Sequence, residues 1–106
     1  KIDQMTNEQL QKVYDWCLLA DNKEGTAGCI VHAMNSIYWG GENDRSAAIR
    51  FCAIQDDEYN RGSCFYNLID NVAFYIDDMA YKKLFCGEIP REYQGRCSDQ
   101  LKLNTP

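Results

Sequence analysis

Six cysteines divide the chain of 106 residues into three closely matched pairs. The pairs are Cys17 and Cys29, Cys52 and Cys64, and Cys86 and Cys97. Eleven residues separate the cysteines of the first two pairs and ten those of the third, and the first cysteine of a pair recurs every 34 or 35 residues. A period of this length is typical of stacked helical hairpins. An even number of cysteines in so short a chain also indicates three disulfides and an oxidising compartment.

Apolar residues recur at helical spacing between and around these cysteines. Near the amino terminus the apolar stripe consists of Leu10, Val13, Tyr14, Cys17 and Leu18. The clearest stripe, in the middle of the chain, consists of Phe65, Leu68, Ile69, Val72 and Ile76. Spacings of three and four residues place each set on one face of a helix. The sequence therefore predicts one all-α domain, a short α-solenoid of three stacked hairpins at about residues 6–40, 44–77 and 78–103.

Polar residues and glycines mark the predicted helix ends. Thr6 and Gln9 match a capping box, in which the threonine hydroxyl accepts the backbone N–H of Gln9 and the glutamine side chain reaches back. The second helix is predicted from about Thr26 to Gly40-Gly41. The predicted starts of the later helices are Asn43 or Asp44, Asp56, Asp78, and Pro90 at the first helical position. Apart from Tyr93, Cys97 and Leu101, the sixth helix is polar. This is expected of a helix that covers the end of a repeat core, or of a truncated repeat.

The spacing within each pair favours disulfides that join the two helices of one hairpin. Cysteines twelve positions apart in one continuous helix would lie about 120° apart around its axis and would not meet. A turn between them brings the end of one helix beside the start of the next. The predicted disulfides are Cys17–Cys29, Cys52–Cys64 and Cys86–Cys97. The main alternative nests Cys17–Cys64 around Cys29–Cys52, as in the twin-cysteine hairpins of the mitochondrial intermembrane space. Those motifs need uninterrupted helices, which Asn22, Gly25 and Gly28 disfavour.

Two segments carry a resemblance to a known type of repeat. They are Cys52…Asp56-Asp57-Glu58-Tyr59-Asn60-Arg61…Cys64-Phe65-Tyr66-Asn67-Leu68 and Cys86…Pro90-Arg91-Glu92-Tyr93…Cys97. Both resemble the cysteine-stapled helical repeats of exported, mostly uncharacterised bacterial and archaeal proteins. The resemblance implies a helical-repeat fold, an extracytoplasmic location and protein–protein contact, and it brings no catalytic residue. The first hairpin departs from the pattern, since its turn carries Gly25 and Gly28.

Charge and hydropathy restrict the partners. The net charge of −5 and the lack of any basic run denser than Lys82-Lys83 argue against nucleic acid. No apolar stretch approaches the roughly 20 residues that span a bilayer. The chain begins with Lys1 rather than Met, so we expect a processed amino terminus, and a missing secretory leader is no evidence for the cytosol. We therefore expect a secreted, periplasmic or cell-surface protein that does not span the membrane.

The residue types available for catalysis are few. His32 is the single histidine, and its place beside an apolar stripe predicts a partly buried, hydrogen-bonded side chain. The chain has no Gly-x-Ser-x-Gly elbow, and its cysteines are expected to be consumed by disulfides. We therefore expect no enzyme activity and no catalytic residue.

The same sequence features argue against a metal or cofactor. A structural zinc site needs closely spaced Cys or His ligands, and the nearest two cysteines are eleven positions apart. The acidic clusters are Asp56-Asp57-Glu58, Asp77-Asp78 and Glu42-Asn43-Asp44. None matches a calcium-binding loop, and each falls where a helix is expected to begin. We expect helix caps there.

The aromatic residues carry the one indication of function. Four of them lie off the best apolar stripes and form a possible interface where they face outward: Tyr38, Trp39, Tyr66 and Tyr75. For any single one of them, we expect packing in the core instead. Together they favour an extracytoplasmic interaction or assembly module that binds another protein or another copy of itself. The alternative is a carrier of a small apolar ligand in a helical cavity. Insect odorant-binding proteins are helical carriers with six cysteines, but they place two cysteines three residues apart, unlike this chain.

Overall fold

The computed structural model describes residues 5–40 and 45–103 of the chain. Within these ranges the secondary structure is helical throughout and contains no strand. The helices are α1 (Asn7–Cys17), α2 (Lys23–Gly40), α3 (Arg45–Ala53), α4 (Glu58–Tyr75), α5 (Met79–Glu88) and α6 (Arg91–Gln100). The caps predicted at Asn43 or Asp44, and Gly41 of the predicted helix end, lie outside the described residues.

The helices form three hairpins, α1–α2, α3–α4 and α5–α6, that stack along the long axis of the molecule. Helix α1 packs on α3, α2 packs on α4, and α4 packs on α6. The resulting body measures 46 × 28 × 20 Å. This arrangement confirms the predicted all-α fold of stacked, disulfide-stapled hairpins.

Each hairpin is closed by one disulfide between its two helices. The bonds are Cys17–Cys29, Cys52–Cys64 and Cys86–Cys97, with Cα atoms 5.4, 5.5 and 5.6 Å apart. The first cysteine of each pair lies in the last turn of its helix, and the second lies inside the following helix. The nested alternative is therefore wrong, because the short turn of each hairpin places its own two cysteines at bonding distance.

Local hydrogen bonds set the helix starts, and two of the predicted caps are confirmed. In the capping box, the Gln9 backbone N–H donates to the Thr6 hydroxyl at 3.1 Å, and the Thr6 N–H donates to the Gln9 side chain at 2.8 Å. The Asp78 carboxylate accepts the backbone N–H groups of Ala80 and Tyr81 and so begins α5. Each contact satisfies a donor that the helix itself leaves unpaired.

Three predicted helix starts are wrong by one to three residues. Asp57, not Asp56, caps α4 by accepting the Asn60 N–H at 2.9 Å. Pro90 is the cap of α6 rather than its first helical residue. Helix α2 begins before Thr26, because the Asn22 side chain accepts the Gly25 N–H at 2.7 Å and starts the helix early. The residue spacing correctly predicted that helices begin near these positions, but the local side-chain geometry determines the exact residue at which each helix starts.

The predicted stripes form the core. Leu10, Tyr14 and Cys17 of α1 are buried, as are four of the five stripe residues of α4; Ile76, just after α4, is partly buried. Leu18 is an exception and is exposed, because α1 ends at Cys17 and Leu18 lies in the turn. The Tyr14 hydroxyl donates to the Asp56 carboxylate at 3.1 Å and thereby ties α1 to the turn before α4.

The chain has a Glu-Tyr pair before Cys64, Glu58-Tyr59, and another before Cys97, Glu92-Tyr93, but the two pairs are not structurally equivalent. Tyr59 lies five residues before its cysteine and Tyr93 four residues before its own. One residue rotates a side chain by about 100° around a helix. Tyr93 is 5% exposed and stacks on Phe65 with ring centroids 4.7 Å apart, whereas Tyr59 is 51% exposed. The position equivalent to Tyr93 in the second hairpin is the buried Asn60.

Because Tyr93 is buried and Tyr59 is exposed, the same substitution should cost much more stability at Tyr93 than at Tyr59. Tyr93→Ala should lower the free energy of unfolding by about 3–5 kcal/mol, because it removes a buried ring and leaves a cavity. Tyr59→Ala should change it by less than about 1 kcal/mol, since it removes an exposed ring and one contact with Lys23. Urea titration followed by circular dichroism measures both values. Equal costs for the two variants would contradict the register.

The disulfides should contribute most of the margin of stability. Replacing Cys52 and Cys64 together by Ser should lower the free energy of unfolding by about 3 kcal/mol, because the open chain regains the entropy of a twelve-residue loop. Denaturant titration of the double variant beside the parent measures the loss. An unchanged midpoint would show that helix packing alone holds the hairpin.

Candidate functional site

The predicted interface residues do not share one surface, and Tyr38 is not on the surface at all. Tyr38 is fully buried, and its hydroxyl shares a hydrogen bond of 2.9 Å with the Tyr81 hydroxyl of α5. Tyr38 is therefore wrong as a candidate interface residue, because α5 folds back over the end of α2. Burial, followed by the contact with Tyr81, raises the pKa of Tyr38 far above that of a free tyrosine. Its hydroxyl therefore stays protonated and has a structural role.

Trp39 and Tyr75 do lie together on the surface. Their rings meet edge to face with centroids 5.5 Å apart, and both are exposed. The Trp39 indole N–H donates to the Asn71 side chain at 3.2 Å, and the Asn71 amide donates to the Asn35 side chain at 2.8 Å. This polar chain between α2 and α4 fixes the orientation of the indole.

Phe74 extends this surface and was missed as an interface residue from the sequence. Its side chain is 74% exposed, and its ring centroid lies 6.5 Å from that of Tyr75. Trp39, Phe74 and Tyr75 together are called the aromatic ridge below. A signal for Phe74 was present in the sequence, because Phe74 follows Cys64 by ten residues just as Trp39 follows Cys29 by ten.

The exposure of Phe74 follows from unequal helix lengths. Trp39 is partly covered by Asn71 and Tyr75, which lie in the last two turns of α4. Helix α6, which packs on α4, ends three residues after Cys97, whereas α4 continues for eleven residues after Cys64. The last turns of α4 therefore extend beyond α6, and Phe74 has no cover equivalent to that of Trp39.

Tyr66 lines a separate groove between α4 and α6. The groove has a volume of about 400 Å³, is open to solvent, and is lined partly by Tyr59 and by the carboxylates of Glu58 and Glu92. The Tyr66 ring meets the Tyr93 ring edge to face at 5.7 Å, and the Arg96 guanidinium lies 4.1 Å from its centroid. Tyr66 is exposed and so faces outward, but it is not part of the aromatic ridge.

A bidentate ion pair connects α3 with α5 near the ridge. Arg45 Nε and Nη2 donate to the two carboxylate oxygens of Glu88 at 2.6 and 3.1 Å. The Arg45 guanidinium also lies 5.0 Å from the centroid of the Tyr81 ring. The hydrogen bond from Arg45 lowers the pKa of Glu88, and the same bond raises the pKa of Arg45. Both charges are therefore stabilised, and the pair joins the second hairpin to the third.

His32 is exposed, so the prediction of a partly buried histidine is wrong. His32 lies two positions after the buried Ile30, which places the histidine about 200° away around α2. Among the residues that the structure describes, no three or more His, Cys, Asp or Glu side chains group in a way that could hold a metal ion. The acidic segment Glu42-Asn43-Asp44 lies outside the described residues.

No protein-family model, curated protein or solved structure matches the chain. The resemblance to exported cysteine-stapled repeats therefore stays an expectation that depends on the quoted segments. Within residues 5–40 and 45–103, no helix is both long and apolar enough to cross a membrane. The proposed function therefore depends on the geometry of the protein surface.

The Arg45–Glu88 pair predicts a small acid-dependent loss of stability. Because folding lowers the pKa of Glu88, its contribution is fully present above the unfolded pKa of about 4.3 and is lost as the pH falls through the lower folded value. Glu88→Gln should flatten the stability curve between about pH 5 and pH 3. The difference should stay below about 1 kcal/mol, because the Glu88 side chain is 46% exposed.

Thermal unfolding at several pH values measures this effect. Arg45→Met should flatten the same part of the curve, because Glu88 then lacks its partner. Parallel curves for the parent and both variants would show that the pair adds nothing to stability.

Proposed function

We propose that this protein is an extracytoplasmic protein–protein interaction or assembly module with no catalytic activity of its own. The aromatic ridge is the observation that carries the proposal. Trp39, Phe74 and Tyr75 expose three neighbouring rings at one edge of the stack. Exposed Trp and Tyr side chains are the most frequent anchors of protein interfaces.

Two of the three rings of the ridge also have contacts that orient them before any partner binds. The Trp39 indole is fixed by its hydrogen bond to Asn71, and Tyr75 is fixed by its edge contact with the indole. Rings that are already oriented lose little conformational entropy on binding. Trp39 and Tyr75 therefore present oriented rings, and Phe74 adds exposed apolar area beside them.

Three disulfides support a location outside the cytoplasm. All six cysteines are paired within hairpins, and none is left as a free thiol. Structural disulfides persist in secreted, periplasmic and cell-surface proteins, whereas reducing systems keep cytosolic thiols free. An oxidising compartment is the environment in which this fold is stable.

The alternative functions have weaker support. A carrier needs an enclosed apolar cavity. The α4–α6 groove is open and lined by Glu58 and Glu92, and a second groove beside α3 is lined by Arg45, Arg50 and Glu88. His32 contributes to neither lining. The interaction module is the function that the described surfaces favour.

A native mass spectrum of the protein from its natural source tests this proposal. The expected species is a non-covalent complex with another polypeptide chain, in which this chain is lighter than the reduced chain by the six hydrogens of three disulfides. Phe74→Ser should weaken that complex, because it removes an exposed anchor without disturbing the core.

Tyr59→Ser is the matched control, because Tyr59 is an exposed aromatic residue outside the ridge. A monomer with a bound small molecule would replace the proposal with the carrier. A bare monomer, at the concentration of its natural source, would overturn it.

A further inference from the structure

The packing of the third hairpin on the first two shows which face of the first helix of a hairpin turns toward its neighbours. Tyr81, Phe85 and Glu88 lie on one face of α5 at helical spacing. The Tyr81 hydroxyl forms a hydrogen bond with the Tyr38 hydroxyl of α2, and the Glu88 carboxylate accepts a hydrogen bond from Arg45 of α3. Phe85, between them, is fully buried. This face is the packing stripe of α5.

Counting from the first cysteine of each hairpin gives the equivalent stripes. In α3 and the turn after it, the positions of Tyr81, Phe85 and Glu88 are occupied by Ala47, Phe51 and Ile54. Ala47 and Phe51 are fully buried, and Ile54 packs partly on the core. The central residue of the stripe, Phe51 or Phe85, is therefore fully buried in both hairpins that follow another hairpin.

The same stripe is uncovered at the amino-terminal end of the stack. Its residues in α1 and the turn after it are Lys12, Trp16 and Leu19, called the N-terminal stripe below. Trp16 and Leu19 are each 73% exposed. The first hairpin therefore displays the apolar residues of a hairpin–hairpin contact without the hairpin that would cover them.

The other half of this contact is uncovered at the opposite end. Tyr38 and Arg45 contact the α5 stripe. Counted from the cysteines, the equivalent positions in the next hairpin are Ala73 and Met79. Met79 is exposed, and Ala73 is partly buried. Phe74, which follows Ala73 in sequence, is exposed as well. Ala73, Phe74 and Met79 are called the C-terminal surface below. This surface occupies the positions on which a further hairpin would pack.

We propose that the N-terminal stripe of one copy packs on the C-terminal surface of a second copy, so that stacking continues head to tail between molecules. This inference rests on the proposed function and names its partner. A second copy is the occupant because one chain carries both halves of the contact in the register of its internal interface.

The geometry has a consequence for assembly. The two surfaces differ and lie at opposite ends, so the contact is heterologous and each bound copy still has one free end. Association therefore produces short chains that lengthen with concentration rather than a closed dimer.

Sedimentation velocity of the purified, oxidised chain tests the inference over a range of concentrations. The average mass should rise with concentration. Trp16→Glu and Phe74→Glu should each raise the dissociation constant at least about tenfold, because each places a charge in an apolar contact. Both residues are exposed, so both variants should fold, which circular dichroism checks. Tyr59→Glu is the control and should associate like the parent.

Mixing the two variants separates this model from general stickiness. The Trp16→Glu chain keeps its C-terminal surface, and the Phe74→Glu chain keeps its N-terminal stripe. The mixture should form one-to-one dimers that do not grow, since both outer ends are blocked. A mixture that stays monomeric, or variants that associate like the parent, would overturn the inference.

A parent chain that is monomeric at every concentration would also overturn the head-to-tail contact. The proposed function would survive that result if the protein from its natural source is found in complex with a different chain. Both would fail if that protein is a bare monomer.

Discussion

The register imposed by the disulfides is the constraint on which the rest of the structure depends. Each disulfide holds two Cα atoms 5.4–5.6 Å apart at the closed end of a hairpin, so residue positions counted from the cysteines have a common meaning in all three units. A shift of one residue in that count moves a side chain from the core to the solvent, as Tyr93 and Tyr59 show. The three disulfides therefore do more than reduce the conformational entropy of the unfolded chain. They set which faces of neighbouring hairpins can meet.

The features that could be predicted from the sequence depend on short stretches of chain. The Thr6–Gln9 capping box and the cap at Asp78 involve residues within one helical turn, and each disulfide spans twelve positions or fewer. Contacts between hairpins could not be predicted in this way. The burial of Tyr38 depends on Tyr81, which lies 43 residues away. A periodic pattern identifies a buried face of a helix, but it does not indicate how many neighbours that helix has.

The candidate site illustrates the same limit. Trp39 and Tyr75 were named as a possible interface, but their contact and the exposure of Phe74 follow from α4 being eight residues longer than α6. The lengths of the two helices could be approximated from the sequence. Their consequence required knowing that α6 packs along the first half of α4, with Tyr93 on Phe65. The ridge is thus a result of the stacking and is not marked by any local motif.

The two ends of the stack are unequal, and this inequality limits the strength of the proposed head-to-tail contact. Helix α6 carries the exposed charges of Glu92 and Arg96 beside the α4–α6 groove, and α5 carries Lys82 and Lys83 where the equivalent positions of α3 carry Ala48 and Ile49. Much of the carboxyl-terminal end is therefore polar, and its exposed apolar side chains include Phe74 at the end of α4 and Met79 and Leu84 of α5. The net charge of −5 per copy adds a repulsion that salt screens. A small apolar contact opposed by like charge favours reversible association over permanent fibres, so the exposed rings can serve binding without making the protein insoluble.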